Sequence, residues 1–211
     1  MFKDRQSAGK LLAKHLKHYK GKDNVLVLGI PRGGVVVASA VAESLNLPLD
    51  IIVTRKIGAL TQPELALGAV DPDGEVVWDQ NLIDDLGSTI YDLKETVKNE
   101  VEEITRREDL YRREKKPLNV GGKTVILVDD GIATGATTLS AVRYLKRHEA
   151  KKIILAIPVA SKEPVEKIIR ELGEFGEVVV LETPEYFQAV GQFYHKFEPV
   201  SDEEVVQLLT S

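Results

Sequence analysis

The sequence predicts an α/β fold, a parallel sheet flanked by helices, and two observations carry that prediction. Short unbroken apolar runs, Val25-Leu-Val-Leu and Val125-Ile-Leu-Val, have the character of strands buried on both faces. Each run ends in a glycine-rich turn that feeds a helical stretch. Strands alternating with helices call for a parallel sheet with right-handed crossovers. The 211 residues suffice for one sizeable core, or a core plus a small appendage. We expect a single domain over residues 1–211, free of internal repeats.

Taken in order, Leu11, Leu12, His15 and Leu16, flanked by lysines, predict a short amphipathic N-terminal helix. The first strand, 25–28, closes in the turn Gly29-Ile-Pro-Arg-Gly-Gly. A helix over 35–45 follows, with Ala38, Ala40 and Ala42 permitting close packing on a sheet. Residues 49–53 form the second strand, and Arg55-Lys56-Ile57-Gly58 leaves its carboxyl end. A long excursion then precedes the strand at 123–128. It holds an expected hairpin, 65–70 and 75–78, around the turn Asp71-Pro-Asp-Gly. A charged helix from about 88 to 113 comes next, its stripe made of Ile90, Leu93, Val97, Val101 and Ile104. Beyond it lie a helix opening at Leu139, a strand at 152–158, a helix at 163–172 and a strand at 178–181. An aromatic tail from Tyr186 ends in a short helix near 202–209.

The most informative stretch is Val125-Ile-Leu-Val-Asp-Asp-Gly-Ile-Ala-Thr-Gly-Ala-Thr-Thr. Two carboxylates, Asp129 and Asp130, emerge at the end of a buried strand. The turn that follows is small enough for a ligand to approach the backbone closely. Thr134, Thr137 and Thr138 add hydroxyls, and the N–H groups at the start of a helix suit a phosphate. The two carboxylates would repel that phosphate at contact, so they face hydroxyls or a magnesium ion instead. A sugar phosphate with a free diol fits both halves. The plain alternative is a structural strand-turn-helix with Asp130 as a capping residue.

Two other pieces belong to the same sheet edge, where ligands of open α/β sheets gather. The loop at Gly29–Gly34, with Arg32, suits a diphosphate, or else is an ordinary turn. Arg55 and Lys56 are ligand cations or a solvated strand end. Composition narrows the rest. A net charge of −5 argues against a dedicated nucleic-acid binder. No apolar run reaches membrane-spanning length, and the polar N-terminus carries no signal peptide. Zero cysteines excludes thiol chemistry, and we expect a cytoplasmic protein. His15, His18, His148 and His195 have no metal-ligand spacing and receive no catalytic role.

The stretch 125–138, an apolar strand, an acidic pair and a small-residue turn ending in Thr134-Gly-Ala-Thr137, resembles the 5-phosphoribosyl 1-pyrophosphate (PRPP) motif of type I phosphoribosyltransferases. The likeness to that family covers residues 23–182. A closer likeness, to the uncharacterised phosphoribosyltransferase-like proteins of bacteria and archaea, reaches both ends, through Phe2-Lys-Asp-Arg-Gln-Ser-Ala-Gly and Val190-Gly-Gln-Phe-Tyr-His-Lys-Phe. It implies the family's Rossmann-like sheet, a long inserted lid or helical segment over 57–118, and a C-terminal hood over 183–211. Transfer of the phosphoribosyl group from PRPP to a nitrogenous acceptor of nucleobase type, with release of pyrophosphate, is the implied activity. Asp129 and Asp130 would hold the ribose hydroxyls as the catalytic pair. Ala133, Thr134, Gly135, Ala136 and Thr137 would wrap the 5-phosphate. Arg32, Gly33, Gly34, Arg55 and Lys56 would meet the pyrophosphate, with a cis peptide at Pro31–Arg32. Mg²⁺ would be held mainly through PRPP, with Asp129 and Asp130 as its candidate protein ligands.

Residues 63–68 would belong to a flap over the site. The acceptor lies under a variable hood in this family, which makes Phe187, Phe193 and Tyr194 candidates for stacking on it; their alternative is core packing. The long helix departs from the family pattern and reads as a lid or subunit-packing element, leaving a homodimer open. Two other functions use the same contacts: a non-catalytic PRPP or nucleotide sensor, and a hydrolase of a phosphoribosyl donor.

Overall fold

The computed structural model describes residues 1–112 and 117–210. In chain order the regular elements begin with α1 (Arg5–His15), β1 (Val25–Gly29), α2 (Gly33–Leu45) and β2 (Leu49–Ile51). They continue with β3 (Arg55–Gly58), β4 (Ala66–Val70), β5 (Val76–Trp78), α3 (Gln80–Asp85) and α4 (Lys94–Arg112). The last are β6 (Thr124–Val128), α5 (Ala136–Arg147), β7 (Lys152–Val159), α6 (Lys162–Leu172), β8 (Gly176–Glu182) and α7 (Asp202–Thr210).

Five strands make a parallel sheet in the order β2-β1-β6-β7-β8. One row across it runs Leu49, Val27, Ile126, Ile154, Glu177. Alternation along each strand sorts the side chains into two cores. Leu26, Leu28, Val125, Leu127, Ile153 and Leu155 face Ala141 and Leu145 of α5 and Ile168 of α6. Val25, Val27, Ile126, Val128, Ile154 and Ala156 face Leu12 of α1 and Val37 and Val41 of α2. Burial on both faces is why these runs are continuously apolar, each such side chain contributing about 1.5–3 kcal/mol. From β1 the chain passes to β2 on one side and later returns as β6 on the other. That switch point leaves a crevice at the carboxyl ends, beside Gly29 and Val128.

Between β2 and β6 the chain builds a second, antiparallel sheet, β3-β4-β5. The hairpin expected at 65–78 forms with Val70 opposite Val76. Its turn is closed by the Asp71 carboxylate, which accepts from the amides of Asp73 and Glu75. Arg147 of α5 donates to Asp71 at 2.6 Å and fastens the hairpin to the main domain. Residues 55–58 pair with β4 as a strand of their own, where the sequence suggested only the end of β2. Helix α3 was not expected; Asp79 caps it by accepting from the Leu82 amide.

The long helix starts at Lys94, later than expected, because Thr89 and Asp92 exchange side-chain and backbone hydrogen bonds just before it. Ile90 therefore falls outside the stripe and is 42% exposed, whereas Leu93 and Ile104 are buried. Arg113, its expected last residue, lies outside the described residues. The helix packs on β3, β4 and α7. Its end is pinned by Arg112, which donates to the Ile51 carbonyl at 2.7 Å and to Asp50 at 3.2 Å. Helix α1 begins at Arg5, capped by Asp4, and buries Ala8, Gly9, Leu12 and Ala13 rather than Leu11. Small residues make this face because α1 lies against the backbone of α2; a Cβ on Gly9 would stand 2.5 Å from the Val37 carbonyl oxygen. Among the described residues no helix is long and apolar enough to cross a membrane.

Candidate active site

Strand β6 delivers Asp129 and Asp130 to the crevice, against the first turn of α2. A Cβ on Gly34 would lie 2.8 Å from an Asp129 carboxylate oxygen, and one on Gly33 would overlap the Asp130 carboxylate. Glycine at both positions is what lets the acidic pair sit so close to the loop at 29–34. Asp130 donates its amide to Asp129 Oδ1 at 2.8 Å. Its own Oδ2 accepts from Arg5 Nε at 2.8 Å, an ion pair whose side chains are only 10% and 15% exposed. Arg5 also donates to the Glu198 carbonyl at 2.8 Å and stacks 3.8 Å over the Phe197 ring. Burial and then the charge of Asp130 push the Asp129 carboxyl well above the usual range, with Lys56 pulling the other way. Burial also raises Asp130, and the Arg5 guanidinium opposes it.

The small-residue loop follows. It is clamped to the end of β7 by the Ile132 amide on the Val159 carbonyl, and to Ser161, whose amide donates to the Ile132 carbonyl. Gly135 takes φ +77°, the left-handed region, as the residue before α5. The first intrahelical bond runs from the Leu139 amide to the Gly135 carbonyl at 2.8 Å. The amides of 136–138 thus form the open end of a twelve-residue helix, the arrangement that favours an anion. Asp129, Asp130, Ala133, Thr134, Gly135 and Thr137 line one cleft of about 420 Å³ together with Arg55, Lys56 and Arg107. Ala136 lines the neighbouring cavity, which shares Lys56, Thr134 and Gly135 with the cleft.

The basic residues are placed unequally. Arg55 donates to Glu100 of α4 at 2.6 Å. Lys56 is exposed and has no ion-pair partner among the described residues. Arg32 is not among the residues lining the cleft: its side chain is 43% exposed and meets Asp202 of α7 at 3.5 Å. The Pro31–Arg32 peptide is cis, as the resemblance implied.

Two cations escaped the sequence analysis. Arg107 looked like one more charge on a solvated helix, although it falls three residues after the buried Ile104 and so beside the buried stripe. Arg5 has no local signal, because its partner is 125 residues away.

The aromatic tail follows the core-packing alternative. Phe187 packs on Phe193 at a ring separation of 5.0 Å, and Tyr194 lies between Phe2 at 5.4 Å and Phe197 at 5.1 Å. These rings bury one another in a satellite core, held by the Phe2 amide on the Phe193 carbonyl and the His195 amide on the Phe2 carbonyl. The Tyr194 hydroxyl donates to the Asp130 carbonyl at 2.6 Å, supporting the acidic pair from behind. Among the described residues of the tail, Val190 is the one that lines the cleft.

Comparison with known proteins points the same way as this geometry. The model of the phosphoribosyl transferase domain matches residues 3–174. A Mycobacterium tuberculosis protein with a provisional phosphoribosyl transferase name, found in two strains, is 42% identical over 209 residues. The match takes in 99% of this chain and 46% of that protein, so the chain spans about half the length of these curated relatives. The crystal structure of TT1426 from Thermus thermophilus is similar at 39% identity and a TM-score of 0.79, covering 99% of this chain and 97% of the other. AQ2163 from Aquifex aeolicus, at 14% identity and a TM-score of 0.54, covers 89% of this chain and 78% of the other, and shares the fold alone. The chain belongs to the phosphoribosyl transferase family and has the α/β architecture of its type I members.

Proposed function

We propose that the cleft binds PRPP and transfers its phosphoribosyl group to a nitrogenous acceptor of nucleobase type, releasing pyrophosphate. The observation that carries this reading is one cleft that joins an open helix end, a half-buried carboxylate pair and basic side chains of β3. The 5-phosphate would sit on the amides at the start of α5, with the Thr134 and Thr137 hydroxyls as further donors. Asp129 and Asp130 would accept from the ribose hydroxyls. Lys56 and Arg55 would meet the diphosphate, Arg55 by leaving or sharing Glu100.

The reaction breaks the C1–oxygen bond to pyrophosphate as the acceptor nitrogen approaches, and positive charge develops on the ribose. Carboxylates fixed below the ring stabilise that charge, and the cations stabilise the departing diphosphate. Little covalent help from the protein is required; holding donor and acceptor in line does most of it. Among the described residues no cluster of three or more metal-ligating side chains forms. Two carboxylates, one of them engaged by Arg5, suit an Mg²⁺ ion that arrives on the diphosphate and keeps several waters. Such an ion would neutralise the leaving group.

Incubation with PRPP, Mg²⁺ and a panel of nucleobases tests the proposal. Pyrophosphate release that requires a base is the expected result. Release without any base would mark a hydrolase of the donor, and PRPP binding with no release across the panel would mark a sensor.

A further inference from the structure

We infer that Arg107, presented by the inserted helix α4, is a diphosphate-binding residue of the cleft, whose lining Arg32 does not join. The identity of the anion rests on the phosphoribosyl reading above; the placement of the cation stands on its own geometry.

Arg107 is one of three cationic side chains lining the cleft, with Arg55 and Lys56. Its side chain is 13% exposed and its Nε donates to Glu103 at 2.6 Å. That bond uses one of the five N–H donors of a guanidinium. Among the described residues no other hydrogen bond occupies the remaining four.

The charges around it are unbalanced in favour of an anion. Glu103 is shared between Arg106, at 2.7 Å, and Arg107, and the two guanidinium groups hold its carboxyl down at about 2. Asp202 of α7 also faces this turn, so two carboxylates, Glu103 and Asp202, meet three guanidinium groups, those of Arg32, Arg106 and Arg107, and a net positive charge remains. Arg55 is neutralised by Glu100, whereas Lys56 forms no ion pair among the described residues and its charge acts on Asp129.

The same turn of helix sorts its side chains to two sides. Arg106 and Tyr111 turn toward α7, where both meet Asp202, the carboxylate that also engages Arg32. Arg107 lines the cleft, with Asp202 still within reach of its charge. Its backbone is rigid, since Ile104 and Tyr111 are buried on either side of it. A cation fixed by a packed helix loses little freedom when it binds.

Calorimetric titration of Mg²⁺-pyrophosphate, PRPP and ribose 5-phosphate into the wild type, Arg107→Gln, Arg107→Lys and Lys98→Gln tests the assignment. Arg107→Gln is expected to weaken pyrophosphate and PRPP about tenfold or more, the effect of one hydrogen bond to a charged group. Ribose 5-phosphate, which has no diphosphate, should bind it as it binds the wild type. Arg107→Lys should recover part of the loss, as a point charge without the guanidinium fork. Lys98→Gln, which removes an exposed cation of the same helix away from the cleft, should match the wild type.

Pyrophosphate affinity unchanged in Arg107→Gln, or an equal loss for ribose 5-phosphate, would overturn the assignment alone. A wild type that binds none of the three would overturn both it and the phosphoribosyl reading. Should Arg107→Gln fail to fold, Arg107→Lys carries the test: weaker pyrophosphate with unchanged ribose 5-phosphate supports it, and no change for either refutes it.

Discussion

Burial raises the carboxyls of both Asp129 and Asp130, but only Asp130 is held by an arginine, and that difference predicts opposite effects of the same substitution. Asp129 is buried beside another carboxylate, so its carboxyl titrates above its ordinary 3.8. A folded state that holds the proton more tightly than the unfolded chain is relatively favoured at low pH and penalised as pH rises from 3.8 toward the folded value. Asp129→Asn removes that penalty and keeps an oxygen for the Asp130 amide. We expect it to raise Tm at neutral pH by ~2 °C or more, with the gain shrinking to nothing as pH falls below the ordinary carboxylate range. Thermal scans from pH 3.5 to 8 measure this, and a Tm lowered at pH 7 would contradict it. Asp130→Asn instead strips the charge from a buried ion pair with Arg5. It should lower Tm by ~3 °C or more and reduce turnover as well. Asp129, Asp130 and the loop to Thr137 were legible because their chemistry lies in one contiguous run of sequence. Arg5 and Arg107 were not, because what they touch is decided by the fold. The aromatic tail left two readings open for a related reason: a ring suited to stacking on a base is equally suited to stacking on other rings, and here Phe2 supplies such a partner.

At the scale of elements, the inserted helix is the main departure from a bare α/β core, and its packing makes it a wall of the cleft. Ile104 is buried in the third core, with Ile51, Ile57 and Leu93 as fellow members. Ile104→Ala should cost about 2–4 kcal/mol in chemical denaturation, as deletion of a well-packed aliphatic group does. An unchanged denaturation midpoint would mean that α4 contributes nothing to the core. The apolar stripe identified this helix from sequence, yet its start was set too early, since Thr89 and Asp92 bond to each other in the turn before it. Strand β3 was hidden because Arg55 and Lys56 advertise function, while pairing with β4 depends on a register that only the folded sheet sets. Helix α3, only six residues long, offers too little periodicity to be seen.

For the whole molecule, both chain ends converge on the acidic pair. The N-terminal segment brings Phe2 and Arg5; the tail brings Tyr194 and Phe197. The prediction at this scale is that Phe2→Ala loosens the joint between the ends, lowering stability by about 3–4 kcal/mol. Amide exchange should then rise together at Phe2, His195 and Lys196, whose amides bond across the joint, and protection retained at all three would refute it. The parallel sheet was legible as a whole because strands buried on both faces leave continuous apolar runs; its clamp was not, since it joins residues at opposite ends of the sequence. The central claim is that the start of α5 and the carboxylate pair together hold a phosphorylated ribose, and a crystal soaked with ribose 5-phosphate tests it most directly. The account predicts the phosphate over the amides of 136–138 with the sugar hydroxyls on Asp129 and Asp130. A sugar phosphate bound elsewhere, with this loop empty, would contradict it.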